Sequence, residues 1–264
     1  MTTKIQEVCA FLEQIAPLNL QESYDNAGLI TGHPDWDIKS VLISLDATEA
    51  VIDEAISIGA NLVISHHPIV FRGLKTFNGN HYVDRAIIKV IKNDIALYAI
   101  HTNLDNVLNN GVNQKIAEKI GLINCHILSP KSLESELIGA GLFGSLQNEL
   151  SLEDLLKQLK IKMNTGSIKH TVTLGNKIQT VALCGGSGSF LIPQAIAKKA
   201  DVFITADLKY HEFFEANDKI VLIDIGHYES EQFTIDLLFG LISGKFPNFA
   251  SHCTKMNTNP VQYY

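Results

Sequence analysis

Short apolar runs alternate along the first half of the chain with segments of helical spacing, and this alternation predicts an α/β fold. Residues 41–45, 62–64 and 95–100 are compact apolar runs of the kind that forms buried strands. Apolar residues recur at helical spacing between them, over about 48–58 and 82–92. Because strands joined by helices are usually parallel neighbours with right-handed crossovers, these strands should share one sheet.

Histidines and a carboxylate follow two of these strands at the point where each strand ends. The earlier strand ends in His66-His67-Pro68, and the proline stops the sheet ladder there. The later strand ends in His101 and, four residues further on, Asp105. Because the carboxyl ends of parallel strands meet at one edge, where ligands bind, we expect these side chains to lie near each other. The alternative for Asp105 is a helix cap for the segment that begins near Val112.

The second half of the chain differs from the first in its glycine content and strand spacing, and we predict a second α/β domain within it. Glycines become frequent after about Cys125, and strand candidates follow at 170–174 and 180–184. We therefore predict two α/β domains with mixed, largely parallel sheets, the second inserted between parts of the first. The predicted ranges are 1–124 with 226–264 for the domain that carries the strand-end histidines and Asp105, and 125–225 for the inserted domain.

A glycine-rich stretch follows the strand candidate at 180–184. Gly185, Gly186 and Gly188 precede a helix that Pro193 opens, and the backbone N–H groups of such a turn can bind an anion. A tight structural turn explains the same glycines equally well. The stretch lacks the Gly-Lys-Ser/Thr ending of a P-loop and the full dinucleotide-binding fingerprint with its downstream acid.

The last strand candidate, 220–225, leads into the sequence Gly226-His-Tyr-Glu-Ser-Glu231. On a helix that begins near His227, the side chains of His227 and Glu231 lie on one face, at a spacing that suits one metal site. Glu229 points away from that face, and we interpret it as an exposed acid that favours the helix N-terminus. As an isolated pair, histidine and glutamate at this spacing are common by chance.

Composition and charge narrow the class of protein. The chain has 264 residues, with 46% hydrophobic and 19% charged side chains, as is typical of a globular protein with a sizeable core. A net charge of −7 without a basic run argues against nucleic acid as the main partner. Four scattered cysteines without C-x-x-C spacing favour reduced thiols. The sequence shows no signal-peptide core and no apolar stretch of membrane-spanning length, so we predict a cytoplasmic protein.

The residues at the strand ends have the chemistry of a metal site. Imidazole and carboxylate groups ligate Zn, Mn or Fe(II), and five of them exceed the needs of one catalytic ion. We therefore predict two divalent ions per chain, of unknown identity, in a two-metal centre. The competing interpretation is a set of unrelated helix caps and surface histidines. The predicted ligands are His66, His67, Asp105, His227 and Glu231.

Four motifs, which occur along the chain in the expected order, are similar to the signature motifs of a known family. They are Tyr24–Gly28, Ser65–Phe71, Thr102–Asp105 and Gly226–Glu231. Because the glycine stretch and residues 200–211 also match in order, nearly the whole chain resembles the Nif-three-like family, often called GTP cyclohydrolase 1 type 2 homologues. One departure is Ala206, where the family usually has glycine, a change of one methyl group. Longer members carry an extra domain, for which 264 residues leave no room.

The resemblance implies a two-domain α/β fold, a dinuclear metal centre at the domain interface and a toroidal homohexamer. It implies the same five metal ligands that the strand ends indicate. His101 and His211 match family positions near the site, which implies contact with the ligands or the substrate. Because an imidazole can exchange a proton near neutral pH, both are also candidate catalytic proton donors. Lys209 and the glycines at 185, 186 and 188 are then candidates for binding the phosphates of a nucleotide.

The family name implies a hydrolase that opens the imidazole ring of GTP and releases formate. Two alternatives stay open at this point. One is a dinuclear phosphoesterase that acts on nucleotides or nucleic-acid ends. The other is a metal-binding regulatory hexamer without catalysis.

Overall fold

The computed structural model describes residues 2–131, 135–175 and 177–264. Its strands within those ranges are β1 (Gly28–Thr31), β2 (Ser40–Ser44), β3 (Leu62–Ser65), β4 (Ala96–Ala99), β5 (Leu122–Pro130), β6 (Gly139–Leu150), β7 (Lys169–His170), β8 (Ile178–Ser187), β9 (Val202–Ala206), β10 (Val221–Asp224) and β11 (Ala250–Cys253). Its helices are α1 (Ile5–Ile15), α2 (Glu49–Ser57), α3 (Tyr82–Lys92), α4 (Thr102–Asp105), α5 (Val112–Ile120), α6 (Leu152–Lys162), α7 (Ile192–Ala197), α8 (His227–Glu231) and α9 (Thr234–Lys245). Among the described residues, no helix has both the length and the apolar character that a membrane span requires.

These elements form two compact units. Unit 1 comprises Met1–Leu104 and Thr234–Pro260, and unit 2 comprises Asp105–Phe233 and Val261–Tyr264. Each unit contains one sheet with helices packed on it, so the predicted α/β class is confirmed. The units differ from the predicted domain ranges, because α5 and α8 pack on β8 and therefore belong to unit 2.

The sheet of unit 1 has the strand order β1-β4-β3-β2-β11. β4, β3, β2 and β11 are parallel, and β1 pairs with β4 in the antiparallel direction. The three central strands are buried along their whole length, which explains their apolar runs. α2 and α3 pack against this sheet through a core that includes Val63, Ile52 and Ile87. Thr48 caps α2, since its hydroxyl accepts a hydrogen bond from the Val51 amide at 3.3 Å.

The sheet of unit 2 has the strand order β5-β6-β8-β9-β10-β7. β8, β9 and β10 are parallel at its centre, and the outer strands pair in the antiparallel direction. Its core gathers around Phe203 and includes Ile192 and Leu222. β10 leads into α8, so the sequence His227–Glu231 follows the end of a central parallel strand, as the histidines of unit 1 do.

Two predicted strands of unit 2 need correction. β8 continues past the predicted end at 184, so Gly185 and Gly186 lie within a strand rather than in a turn. The strand accommodates them through a register shift between Leu183 and Ser187. β7 has two residues, fewer than the predicted 170–174. Beyond it, the Thr171 amide donates to the Leu222 carbonyl and the Leu222 amide donates to the Thr171 hydroxyl, each at 3.0 Å.

Candidate metal-binding residues

Three histidines of unit 1 lie together beyond the ends of two strands. His66 and His67 follow β3 directly, and His101 follows β4. β3 and β4 are parallel and pair with Ser65 opposite Ala99, so the chain leaves both strands at the same edge of the sheet. One ligand nitrogen from each ring lies within 4.8 Å of those of the other two. We call these three residues the histidine cluster.

The rings of His66 and His67 are held through their Nδ1 atoms. Nδ1 of His66 donates to the Ile100 carbonyl at 2.8 Å, since a carbonyl oxygen can only accept. Nδ1 of His67 lies 2.8 Å from Oδ1 of Asp46, to which it donates. With its proton on Nδ1, a neutral imidazole carries the lone pair on Nε2, which is the form that ligates a metal. Oxygen partners of this kind fix the tautomer and orientation of metal-binding histidines.

His101 is held in the same way by Asp25. Its Nδ1 lies 2.8 Å from Oδ1 of Asp25, whose other oxygen accepts from the Thr102 amide at 3.0 Å and from the Thr102 hydroxyl. Burial raises the pKa of Asp25, but the hydrogen bonds from His101 and Thr102 outweigh it and hold that pKa well below its usual range. Asp25 is therefore ionised and a strong acceptor for the imidazole.

Asp46 has the matching role for His67. Burial raises its pKa, but the hydrogen bonds from His67 and Thr258 and the charge of His67 lower it below the ordinary value. Our sequence interpretation missed Asp25 and Asp46 as partners of the histidines. Asp46 follows the strand at 41–45 as His66 follows the next one, so the position after a strand end was the available signal.

In unit 2, α8 begins at His227 as predicted, and its spacing brings His227 and Glu231 together. Nε2 of His227 lies 3.1 Å from Oε2 of Glu231, and Nδ1 lies 2.7 Å from Oδ2 of Asp207. Burial lowers the pKa of His227, but the carboxylates of Glu231 and Asp207 outweigh burial and raise it to about 11. Two carboxylates thus favour a positive charge at this imidazole. Asp207 is a further residue that the sequence interpretation missed.

Asp105 also belongs to unit 2, at the end of α4. Burial raises the pKa of the Cys184 thiol, and the carboxylates of Asp105 and Glu231 raise it further. Both carboxylates therefore lie close enough to act on the same thiol. The alternative role of Asp105 as a cap of α5 is not supported, since Gly111 occupies the N-cap of that helix. We call Asp105, His227 and Glu231 the acidic cluster.

Gly185 and Gly186 lie against the acidic cluster. A Cβ atom on Gly186 would lie 2.4 Å from Oε1 of Glu231, and this glycine has a positive φ of 61°. The amide of Gly185 donates to Asn113 at 2.9 Å, and that of Gly186 donates to Ser230 at 2.9 Å. The glycines therefore make space for a predicted metal ligand. Their contact with phosphate stays a prediction.

Glu229 was predicted to be exposed, and this was wrong. It does face away from His227 and Glu231, but it is buried, with 4% of its surface exposed. The reason is that the opposite face of α8 lies against the end of the chain. Oε1 of Glu229 accepts a hydrogen bond from the Tyr263 hydroxyl at 2.9 Å.

Lys209 and His211 lie at the start of a 3-10 segment, Tyr210–Ala216, in unit 2. Both side chains are exposed, and the ring of His211 contacts those of Tyr210 and Phe214. Neither residue belongs to the groups of potential metal ligands found among the described residues. Their roles stay predictions.

Four histidines in two α/β units, each held through Nδ1 by an oxygen and accompanied by carboxylates, define a candidate metal-binding protein. The chain belongs to the DUF34/NIF3 family, whose model, described as Duf34/NIF3 (NGG1p interacting factor 3), matches residues 3–260. The family that the motifs resemble is thereby confirmed.

Curated relatives of similar length share one name. A Clostridium perfringens protein named GTP cyclohydrolase 1 type 2 homolog is 34% identical over 229 residues, which cover 86% of this chain and 87% of the relative. A Campylobacter jejuni protein of the same name is 34% identical over 233 residues, which cover 87% of this chain and 88% of the relative.

Solved structures share the fold over the whole chain. The crystal structure of a hypothetical protein from Staphylococcus aureus has a TM-score of 0.93 at 32% identity, with 100% of both chains covered. The crystal structure of a Bacillus cereus protein related to NIF3 has a TM-score of 0.91 at 25% identity, also with 100% of both chains covered.

Proposed function

We propose that this protein is a metal-dependent hydrolase that binds two divalent ions through His66, His67, Asp105, His227 and Glu231. One observation carries the proposal. Nδ1 of each histidine among these ligands, and of His101, is held by an oxygen at 2.7–2.8 Å. That arrangement orients histidine ligands in metalloproteins, and here it holds rings whose nitrogens belong to groups of potential metal ligands. The nitrogen and oxygen donors suit Zn, Mn or Fe(II).

The chain's own residues have distinct roles in this proposal. The bound ions would supply Lewis acidity for a hydrolytic attack by water. His101, whose ring Asp25 fixes within the histidine cluster, is the proposed proton donor, and His211 is the second candidate. Lys209 and Gly188 are the proposed contacts for phosphate, with a lesser role for Gly185 and Gly186, whose amides donate within unit 2.

The proposed substrate is GTP, because the relatives are named GTP cyclohydrolase 1 type 2 homologs. The reaction would open the imidazole ring of the guanine by hydrolysis at C8 and release formate. We further propose that the protein acts in the cytoplasm as a homohexamer, as the family resemblance implies. Sedimentation equilibrium would then give about six times the chain mass of 29.1 kDa.

The test is an assay with two substrates. The protein, loaded with zinc or manganese, is incubated with GTP and separately with bis(p-nitrophenyl) phosphate, and the release of formate and of p-nitrophenol is followed. We expect metal-dependent formate release that is lost in His67→Ala. His33→Ala is the matched control, because His33 is an exposed histidine outside the groups of potential ligands.

Other outcomes lead to the alternatives. Release of p-nitrophenol without formate would move the protein to the phosphoesterases. If neither product forms while both ions are bound, the hydrolase proposal fails, and a metal-binding regulatory protein is the better description.

A further inference from the structure

Tyr263 holds the ligand helix α8 from outside, through Glu229. This carboxylate is 4% exposed and lies two residues from His227 and two from Glu231. Its Oε1 accepts from the Tyr263 hydroxyl at 2.9 Å. A buried carboxylate needs hydrogen-bond donors to offset its desolvation, so this contact constrains where Glu229 can lie.

Two glycines make room for the contact. A Cβ atom on Gly226 would lie 2.3 Å from Oε2 of Glu229, and Gly226 has a positive φ of 91°. A Cβ atom on Gly166 would lie 2.4 Å from Cδ2 of the Tyr263 ring. A side chain at either position would displace one of the two partners. The backbone is therefore adapted to the pair on both sides.

The loop that receives the Tyr263 ring, residues 163–167, also contacts the chain on either side of α8. The side-chain amide of Gln232 donates to the Met163 carbonyl at 2.9 Å. The Thr165 hydroxyl donates to the Ile225 carbonyl at 2.8 Å. Loop 163–167, the ends of α8 and Tyr263 thus form one connected set of contacts within unit 2.

The helix α8 depends on such contacts because it has five residues. Isolated helices shorter than about 12 residues are marginal in water, so neighbours determine whether this turn keeps its shape. Metal ligands need their geometry fixed to within about 0.5 Å. A support on the buried face of α8 therefore acts on the two ligands that the helix presents.

We infer that Tyr263 is a positioning residue for the metal ligands His227 and Glu231, acting through Glu229. The inference rests on the proposed function, because it takes these two residues as ligands. Burial, together with the hydrogen bond to Glu229, raises the pKa of Tyr263 to about 12, so its hydroxyl remains a donor at neutral pH.

The test uses Tyr263→Phe in the full-length chain, which removes the hydroxyl and keeps the ring against Gly166. We expect the zinc affinity, measured by competition with a chromophoric chelator, to fall by about tenfold, the lower end for partners beyond the ligands. The absorption spectrum of the cobalt-loaded protein should change as well. Tyr264→Phe is the matched control, because the neighbouring tyrosine is fully exposed and should leave both readouts unaltered.

A second measurement does not need a metal. The amides of Ser230 and Gln232 donate within α8 to the carbonyls of Gly226 and Tyr228, at 3.0 and 2.8 Å. In the metal-free protein, Tyr263→Phe should speed hydrogen exchange at these amides by about tenfold, since local opening becomes easier. Tyr264→Phe should leave their exchange unchanged.

Unaltered zinc affinity in Tyr263→Phe overturns the inference and leaves the proposed function intact. If the wild-type protein binds no zinc, the proposed function fails, and hydrogen exchange then decides. Faster exchange supports Tyr263 as the support of α8, and unchanged exchange overturns that role.

Discussion

The histidine cluster of unit 1 and the acidic cluster of unit 2 are built in different ways. The histidines follow buried parallel strands, so the sheet and the core fix the backbone that carries them. His227 and Glu231 stand on a five-residue helix, which relies on Asp207, Gly186 and loop 163–167 for its position. A proposed ligand at a strand end is thus held by one orienting bond, whereas a proposed ligand on the short helix has several supports.

The two clusters also differ in charge. The histidine cluster offers imidazole nitrogens, and its carboxylates, Asp46 and Asp25, hold the Nδ1 atoms of His67 and His101 instead of standing among the proposed ligands. The acidic cluster places the carboxylates of Asp105 and Glu231 among the proposed ligands themselves. Because Coulomb attraction falls with distance, the acidic cluster should supply more of the attraction for a divalent ion.

The largest effect is expected for Glu231→Gln, which removes a ligand charge and keeps the side-chain volume. Zinc affinity should fall by more than about 100-fold, beyond the range for partners behind the ligands, and the metal content should drop below two ions per chain. Elemental analysis and chelator competition measure this. Glu153→Gln is the control, since Glu153 is an exposed acid on α6 paired with Lys157. Retention of both ions by Glu231→Gln would contradict its assignment as a ligand.

The next effect concerns the orienting carboxylates, and it compares the two clusters directly. Asp46→Asn and Asp207→Asn should each lower zinc affinity by about 10–100-fold, because the rings of His67 and His227 lose a charged acceptor. Asp35→Asn is the control, since Asp35 lies beside the exposed His33. A loss of zinc affinity in Asp207→Asn without such a loss in Asp46→Asn would show that the strand alone orients His67.

A third substitution separates crowding from backbone strain. Gly186→Ala should destabilise the protein by about 1–2 kcal/mol through its positive φ, and its methyl group should displace Glu231 and weaken zinc binding. Gly59→Ala is the matched control, because Gly59 also has a positive φ, of 70°, with open space around its Cβ position. Urea denaturation should show similar losses of unfolding free energy for Gly186→Ala and Gly59→Ala. Equal zinc affinity in the two variants would exclude the clash with Glu231.

The smallest effect tests whether metal binding follows the general stability of unit 2. Ser151 caps α6 by accepting a hydrogen bond from the Asp154 amide at 3.1 Å. Ser151→Ala should lower the free energy of unfolding by about 1 kcal/mol, as measured in urea, and leave zinc affinity unchanged. A parallel loss of zinc affinity would mean that metal binding depends on the overall stability of unit 2 and not on the contacts that hold α8.

Periodicity predicted the parts of the molecule that depend on local sequence. The strands around His66 and His101 and the pairing of His227 with Glu231 follow from apolar runs and from helical spacing. The paired strands of unit 1 were predicted for the same reason, since strand, helix and strand alternate there.

The orienting partners could not be predicted in this way. Asp46 lies 21 residues before His67, and Asp25 lies 76 residues before His101, so no local period connects them. Glu229 was read as exposed because a helix period gives the face of a residue but not what covers that face. The end of β8 was misplaced because glycines usually end strands, whereas here they give space to Glu231.

The distance along the chain between Glu229 and Tyr263 has a consequence for synthesis. The two residues are 34 positions apart, so a ribosome adding about 5–20 residues per second makes Tyr263 about 2–7 s after Glu229. A nascent chain that stops between these residues and beyond 231 contains every proposed ligand but lacks the hydroxyl that holds α8. Completion of the proposed metal site therefore waits for the synthesis of Tyr263.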